Sequence, residues 1–300
     1  MALIRSGLAP RLLARCTFPA SGEPLAVAVS GGRDSLALLA LAVAAGCRVT
    51  AYHVDHGLRP GSAAEGQLVA AAASALGASF EARRVEIGAG PNLEARAREA
   101  RFAALPDGVA TGHTADDQAE TILLNLLRGS GLDGLAGMRA GPRHPLLALR
   151  RSETHALTDA LGLAVVEDPS NDDPAILRNR VRHELLPLLV ALSGRDLVPI
   201  LCRQAEMLSD ERDLLDCLAG AIDAADVKAL AAAAPALQRR ALRRWLGGTP
   251  AAPHPPGAAA IERLLSVVRG EVLACELPGG RRVARSKGRL VLRDATPAPR

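Results

Sequence analysis

The densest chemistry in the chain is Ser30-Gly31-Gly32-Arg33-Asp34-Ser35, set between the apolar run Leu25-Ala26-Val27-Ala28-Val29 and an Ala/Leu-rich segment from Leu36 to Ala45. Two adjacent glycines let the backbone turn sharply and approach a ligand closely, and Ser30, Asp34 and Ser35 are candidate caps for a following helix. N–H groups at the positive end of that helix form an anion site whose natural occupant is phosphate. Ser30, Gly31, Gly32, Arg33, Asp34 and Ser35 are therefore candidate nucleotide-binding residues. The common nucleotide loops are absent, since neither G-x-x-x-x-G-K-[ST] nor G-x-G-x-x-G occurs here. An ordinary strand-to-helix turn is the bland reading of a Gly-Gly pair. Asp34 argues against it: a carboxylate repels a polyphosphate unless a divalent cation lies between them, so Mg²⁺ is implied.

A second polar cluster is Gly112-His113-Thr114-Ala115-Asp116-Asp117-Gln118-Ala119-Glu120-Thr121. A helix starting near Ala115 puts Asp116 and Glu120 on one face and Asp117 and Thr121 on the next. A carboxylate at a helix N-terminus can simply complement the dipole, but Asp116, Asp117 and Glu120 together beside His113 point to cation binding. Two further groups are candidates. Arg98 and Arg101 stand three apart in Asn92 to Leu105, close enough to clamp one anion, although a solvated, salt-bridged helix gives the same pattern. In His53-Val54-Asp55-His56, the two histidines read as hydrogen-bonded turn residues rather than metal ligands, and Asp55 is the better functional candidate.

The elements that must position these groups follow from the apolar pattern. Leu25–Val29 lacks polar alternation and predicts a strand covered on both faces, as in a parallel sheet. Strands are expected over Arg48–Val54 and Ala78–Ile87, with a short fourth at Gly108–Thr111. Helices fill the intervals, including Gly61–Gly77, so a doubly wound, mainly parallel α/β sheet is expected, with ligands at the strand ends. The chain has 300 residues, 49% hydrophobic and 23% charged, which suits an α/β domain and a smaller second one. Aromatics are 2%, so base stacking cannot be the main route to nucleic acid. Of 36 basic residues only Lys228 and Lys287 are lysines, a bias that suits phosphate contacts and equally a GC-rich genome. The five cysteines, Cys16, Cys47, Cys202, Cys217 and Cys275, show neither zinc spacing nor a disulfide framework. No signal peptide or membrane helix is expected, and a cytoplasmic enzyme follows.

The loop Ser30–Ser35 resembles the PP-loop of the N-type ATP pyrophosphatases, which hold the β,γ-pyrophosphate of ATP while the substrate is adenylylated. Together with His53–Arg59, Ala97–Phe102 and Thr111–Thr121, it is similar to the tRNA(Ile)-lysidine synthetase family, in that family's order. The Gly-rich segment Leu127–Met138, Glu167–Asp173 and Arg178–Leu189 continue the likeness, which covers residues 25 to about 195. Thr114 departs from it where a second histidine is frequent, and Thr158 and Val166 where aromatics are commoner. The resemblance implies ATP and Mg²⁺ as cofactors, tRNA(Ile) with a CAU anticodon and L-lysine as partners, and neither membrane nor DNA. By resemblance and by charge, Asp34 and Asp117 hold the metal, Arg98 and Arg101 stabilise phosphate, and Asp55, His113, Asp116 and Glu120 contact ATP or lysine.

Residues 1–195 are expected to form the ATP-binding catalytic domain, and 196–300 a mostly helical tRNA-binding domain with no second C-terminal domain. Residues 197–247 read as basic helices, 247–257 as a Pro-rich linker, Ala258–Arg269 as a helix, and Glu271–Arg293 as strands turning at Gly279-Gly280. Arg178, Arg180 and Arg182, and the like-charge pair Arg239 and Arg243, are candidate tRNA contacts. Three other readings remain open: a tRNA thiolation enzyme, an amide ligase acting on a small substrate, and a non-enzymatic tRNA-binding protein.

Overall fold

A computed structural model describes residues 7–55, 62–85, 96, 100, 103–247 and 256–293. The chain divides into two compact units, the first ending at Ser209 and the second beginning at Asp210. The first opens with α1 (Leu8–Leu13), β1 (Pro24–Ala28), α2 (Arg33–Ala44), β2 (Arg48–Asp55), α3 (Ser62–Leu76) and β3 (Ser79–Arg84). Strand β1 pairs in parallel with β2, and β2 with β3. On the free side of β1 the expected fourth strand is reduced to one parallel bridge, Val27 with Ala110; the Ala28 amide donates to Ala110 and the Ala110 amide to Ala26. The order β3-β2-β1-Ala110 therefore reverses direction at β1. In an open parallel sheet the ligand crevice lies outside the strand ends at such a reversal. The segments leaving β1 and Ala110 are Ser30–Ser35 and Thr111–Thr121.

Helix α2 is almost wholly buried from Ser35 to Ala42, because Leu36, Leu38, Leu39 and Leu41 alternate with alanines small enough to let the sheet and neighbouring helices close in. Strand β1 differs from expectation. Leu25, Val27 and Val29 are buried, whereas Ala26 and Ala28 are half-buried. Ala26 lines an open cavity of about 410 Å³ together with Thr50, Tyr52 and Pro142, so that face is not packed shut.

After Ala110 come α4 (Ala115–Leu127), the short α5 (Leu132–Leu135), α6 (Arg151–Ala160) and α7 (Leu177–Arg180). A wider π-type turn at Val181–Leu185 leads into α8 (Leu186–Ser193) and then α9 (Val198–Gly220). A second apolar cluster, Ala115, Ala119, Leu123, Val181, Leu186 and Val198, binds α4 to the π turn. Most of the helix expected over Asn92–Leu105, with Arg98 and Arg101, lies outside the described residues, as do His56 and most of the linker at 247–257.

The second unit contains α10 (Val227–Ala232), α11 (Pro235–Leu246), α12 (Ala258–Arg269) and an antiparallel sheet of β4 (Ala274–Glu276), β5 (Arg282–Ser286) and β6 (Arg289–Arg293). Its core is Leu230, Leu242, Leu246, Ile261, Leu264 and Val283. Besides the expected turn at Gly279-Gly280 there is a second at Lys287-Gly288, with φ of 47° and 77°. Positive φ at both centres matches the twist of a tight hairpin, and glycine supplies only one of them, which hides the turn in the sequence.

Candidate active site

The loop after β1 is shaped by backbone constraints. Gly31 has φ of 89°, and a Cβ there would lie 2.6 Å from Val166 Cγ2. The Val166 amide donates to the Gly31 carbonyl at 2.9 Å, so residue 166 seats the loop. His53, buried at the end of β2, contributes Nδ1 to a 2.9 Å hydrogen bond with the Val29 carbonyl, which is the expected structural role. The expected side-chain cap of α2 is not formed. Gly32 is the N-cap, and Ser35 instead ties the loop to itself, accepting from the Ser30 amide at 3.2 Å and donating to the Gly32 carbonyl at 2.8 Å. As N-cap, Gly32 offers no side chain to the first turn of α2, and the Ser30 hydroxyl accepts from the Gly32 amide at 3.4 Å. Arg33 is drawn onto Asp159 of α6.

Gly112 brings the second segment against the first, since its missing side chain lets it lie on the backbone of Asp34 and Ser35. Thr114 and Asp117 then form a capping box: Asp117 Oδ2 accepts from both the amide and the hydroxyl of Thr114 at 2.9 Å. Asp117 Oδ1 accepts from Arg151 at 3.0 Å and from Arg178 at 2.9 Å. Glu120, with a side chain 0% exposed, is held by Arg178 and Arg182 through their Nε atoms at 2.8 and 2.7 Å, and by Arg151 at 3.0 Å. In the fold these acids face guanidinium groups.

The helix forms where it was expected, but its acids are used differently from one another. Asp117 pairs with Glu120, at i and i+3, in one arginine cluster. Asp116 leaves it to accept two bonds of 3.1 Å from Arg150 and one of 2.7 Å from the Arg151 amide, which fixes the start of α6. Asp116 and Glu120, expected at the substrate, are thus committed to arginines. Arg180, expected with its neighbours at tRNA, separates from Arg178 and Arg182 and pairs with Glu184 at the surface. Asn179 is buried and donates to the Ser170 and Asp173 carbonyls, pinning the acidic segment before α7.

Helix α6 is the part of the site that sequence reasoning missed. It packs along α2 and presents Arg151, Thr154 and His155, at i, i+3 and i+4, to Asp34. Thr154 is completely buried and donates to Asp34 Oδ1; His155 Nε2 lies 3.8 Å from the same oxygen. The signal available was the pair Arg150-Arg151 immediately before a helical pattern. Burial pushes the Asp34 carboxyl above the usual aspartate range and nearby Asp117 adds to this, against Thr154, Arg151 and His155. Burial is the largest single influence on Asp117, but Arg151, Arg178, the Thr114 amide and His113 together outweigh it and hold that carboxyl below the ordinary value. Arg151 stays firmly protonated.

His113 shares the Thr111 hydroxyl with His144, at 2.7 and 3.0 Å to the two Nδ1 atoms, and the rings meet edge to face at 5.2 Å. A hydroxyl has one hydrogen, so at least one ring carries its own proton on Nδ1. That ring, when neutral, offers Nε2 as an acceptor. Burial and Arg143 lower the His144 pKa, favouring its neutral form. Asp55 ends β2 at the same edge of the sheet, where its carbonyl accepts from the Val85 amide.

Residues 9–189 match the PP-loop domain family, and residues 226–291 match the TilS substrate binding domain. A tRNA(Ile)-lysidine synthase from Nocardia farcinica is 43% identical over 303 residues, covering 94% of this chain and 95% of that protein. The chain belongs to the tRNA(Ile)-lysidine synthase family. Another relative, the tRNA(Ile)-lysidine synthase of Rhodococcus erythropolis, is 43% identical, with 89% of this chain and 88% of that protein covered. A solved structure, a U34-tRNA thiolase from Methanococcus maripaludis, superposes with a TM-score of 0.51 at 16% identity, over 68% of this chain and 78% of that one. It shares the fold. All five cysteines here are free thiols. The PP-loop domain that this family uses for ATP is the unit whose loop, α4 and α6 converge on Asp34. The arginines Arg239 and Arg243 lie in the second unit on α11, where Arg239 pairs with Glu262 at 2.8 Å, while Arg240 and Arg244 lean on Asp216.

Proposed function

We propose that this chain joins L-lysine to C2 of the wobble cytidine of tRNA(Ile) with a CAU anticodon, using ATP and releasing AMP and diphosphate. The observation that carries the reading is the meeting of Ser30–Ser35 with Gly112–Glu120 at the crevice between β1 and Ala110, in a chain of this family. The C2 oxygen of cytosine is a poor leaving group. It attacks the α-phosphorus of ATP, diphosphate departs, and the oxygen becomes part of a good leaving group. The lysine ε-amine then adds at C2, gives up a proton, and AMP leaves with the former C2 oxygen. The protein positions the partners and neutralises phosphate charge.

The loop and the first turn of α2 receive the departing diphosphate, and Arg178 and Arg182 face phosphate or tRNA from α7 and the π turn. Asp116 and Glu120 serve by holding arginines in place. The Thr111 hydroxyl and His144 orient His113, which contacts ATP or lysine, and Asp55 contacts the nucleotide. Arg98 and Arg101 keep the phosphate role that their spacing gives them.

Mg²⁺ fits this donor set. No group of three or more His, Cys, Asp or Glu able to hold a metal occurs among the described residues. Mg²⁺ commonly binds through one or two carboxylates together with substrate phosphates, and Asp34 with Asp117 supplies two. When bound, it offsets charge between those carboxylates and the phosphates. The arginine-rich second unit binds tRNA, and the reaction takes place in the cytoplasm; among the described residues no single helix is long and apolar enough to cross a membrane. Nucleoside analysis of a tRNA(Ile) transcript incubated with the protein, ATP and lysine tests the reading. Lysidine at the wobble position supports it, and unmodified cytidine in tRNA that binds the protein refutes it.

A further inference from the structure

The Arg151 guanidinium touches three of the four acids described at the site. Its Nε lies 3.6 Å from Asp34 Oδ2, and its Nη2 lies 3.0 Å from both Asp117 Oδ1 and Glu120 Oε1. The side chain is 19% exposed, so these contacts are only weakly screened by water. Arg178 and Arg182 meet Asp117 and Glu120, and among the described residues Arg151 is the guanidinium that also meets Asp34. Three carboxylates therefore face three guanidinium groups, and among the described residues Arg151 is the one that spans the gap between the loop and α4. Its place on the first turn of α6 is fixed by the bond from its amide to Asp116, so the guanidinium is delivered to the gap by the fold.

We propose that Arg151 is a built-in counter-cation, filling the cation position between Asp34 and Asp117 while the nucleotide is absent, so that a divalent ion is taken up only together with ATP. A free Mg²⁺ would have to displace a well-held guanidinium and leave it with fewer partners. ATP removes that obstacle, because its phosphates give the guanidinium an alternative partner and give the metal further oxygen ligands. The inference rests on the assignment of Asp34 and Asp117 to Mg²⁺.

The test is Mn²⁺ binding to the full chain, read by electron paramagnetic resonance without nucleotide. Arg151→Gln, which leaves Asp34 and Asp117 without this charge, is expected to bind Mn²⁺ on the order of ten-fold more tightly than the parent. Arg151→Lys should behave like the parent, and adding Asp34→Asn to Arg151→Gln should abolish the gain. The parent itself should bind Mn²⁺ about ten-fold more tightly with the unreactive α,β-methylene analogue of ATP than without it. That arm stands even if Arg151→Gln fails to fold. A folded Arg151→Gln with parental Mn²⁺ affinity, a gain that survives Asp34→Asn, or a parent indifferent to the analogue would overturn the proposal. Lysidine formation by the parent, measured alongside, separates the two readings. Its presence without the Mn²⁺ pattern rejects the counter-cation alone, and its absence with the pattern rejects the ligase reaction alone.

Discussion

Gly112 lies on the peptide of Asp34: a Cβ at position 112 would stand 2.7 Å from the Asp34 carbonyl oxygen, 2.9 Å from its carbonyl carbon and 3.1 Å from the Ser35 nitrogen. All three are backbone atoms, so a methyl group can be accommodated only by moving the loop or the start of the second segment. Gly112→Ala should cost about 1–3 kcal/mol of stability and should raise the KM for ATP more than a comparable change elsewhere. Thermal melting and ATP titration check it; parental ATP affinity would show that the two segments do not share one site.

Burial disfavours the charged form of Asp34. Its pKa is raised above the ordinary 3.8, so ionising it costs stability as pH rises from that value through the folded one. Asp117 has the opposite sign. Its pKa is lowered, so the stability it contributes is complete above 3.8 and is lost as pH falls through the folded value. At pH 7 and without ATP, Asp34→Asn should melt at or above the parent's temperature yet release no diphosphate, whereas Asp117→Asn should melt lower. Asp117→Asn should also lose less stability than the parent on acidification. A destabilised Asp34→Asn would assign that carboxylate to the fold instead of the metal.

Glu120 is completely buried beneath Arg151, Arg178 and Arg182. Glu120→Gln keeps its shape but removes the charge that three guanidinium groups share. Breaking a buried ion pair from one side typically costs 3–5 kcal/mol, and about 3 kcal/mol is expected here. Denaturant unfolding should register that loss along with reduced activity. A variant as stable as the parent would mean that the arginines find equivalent partners elsewhere.

On α11 the like-charged arginines meet acids of their own unit. Asp216 takes Arg240 and Arg244, and Glu262 takes Arg239, whose side chain is 52% exposed. Replacing Arg239 and Arg243 together should weaken tRNA binding, reduce its salt dependence by up to about two counterions, and leave ATP binding unchanged. Filter binding over a range of salt concentrations decides it. An unaltered slope would move recognition to Arg178 and Arg182.

The parts legible in the sequence were those carried by local pattern. The apolar run into Ser30-Gly31-Gly32 marked a strand and loop, and the interval structure marked a parallel sheet whose order leaves a crevice where Asp34 lies. The spacing in Thr114–Thr121 located α4 but not the use of its acids. Asp116 and Glu120 look equivalent at i and i+4, and only the arrival of Arg150 and Arg178 from distant segments sends them to different partners. Arg151, Thr154 and His155 were missed for the same reason, because an amphipathic helix gives no sign of which buried polar group its face will meet. Ser35 looked like a helix cap, and its hydroxyl closed the loop instead.

The central claim is that the C2 oxygen of the wobble cytidine is activated by ATP and leaves with AMP. It is tested most directly with tRNA(Ile) carrying ¹⁸O at C2 of that cytidine, incubated with the protein, ATP and lysine. The account predicts AMP bearing one ¹⁸O in equal amount to the lysidine formed, with unlabelled diphosphate. Lysidine formed with unlabelled AMP, or labelled oxygen retained in the tRNA, would contradict it.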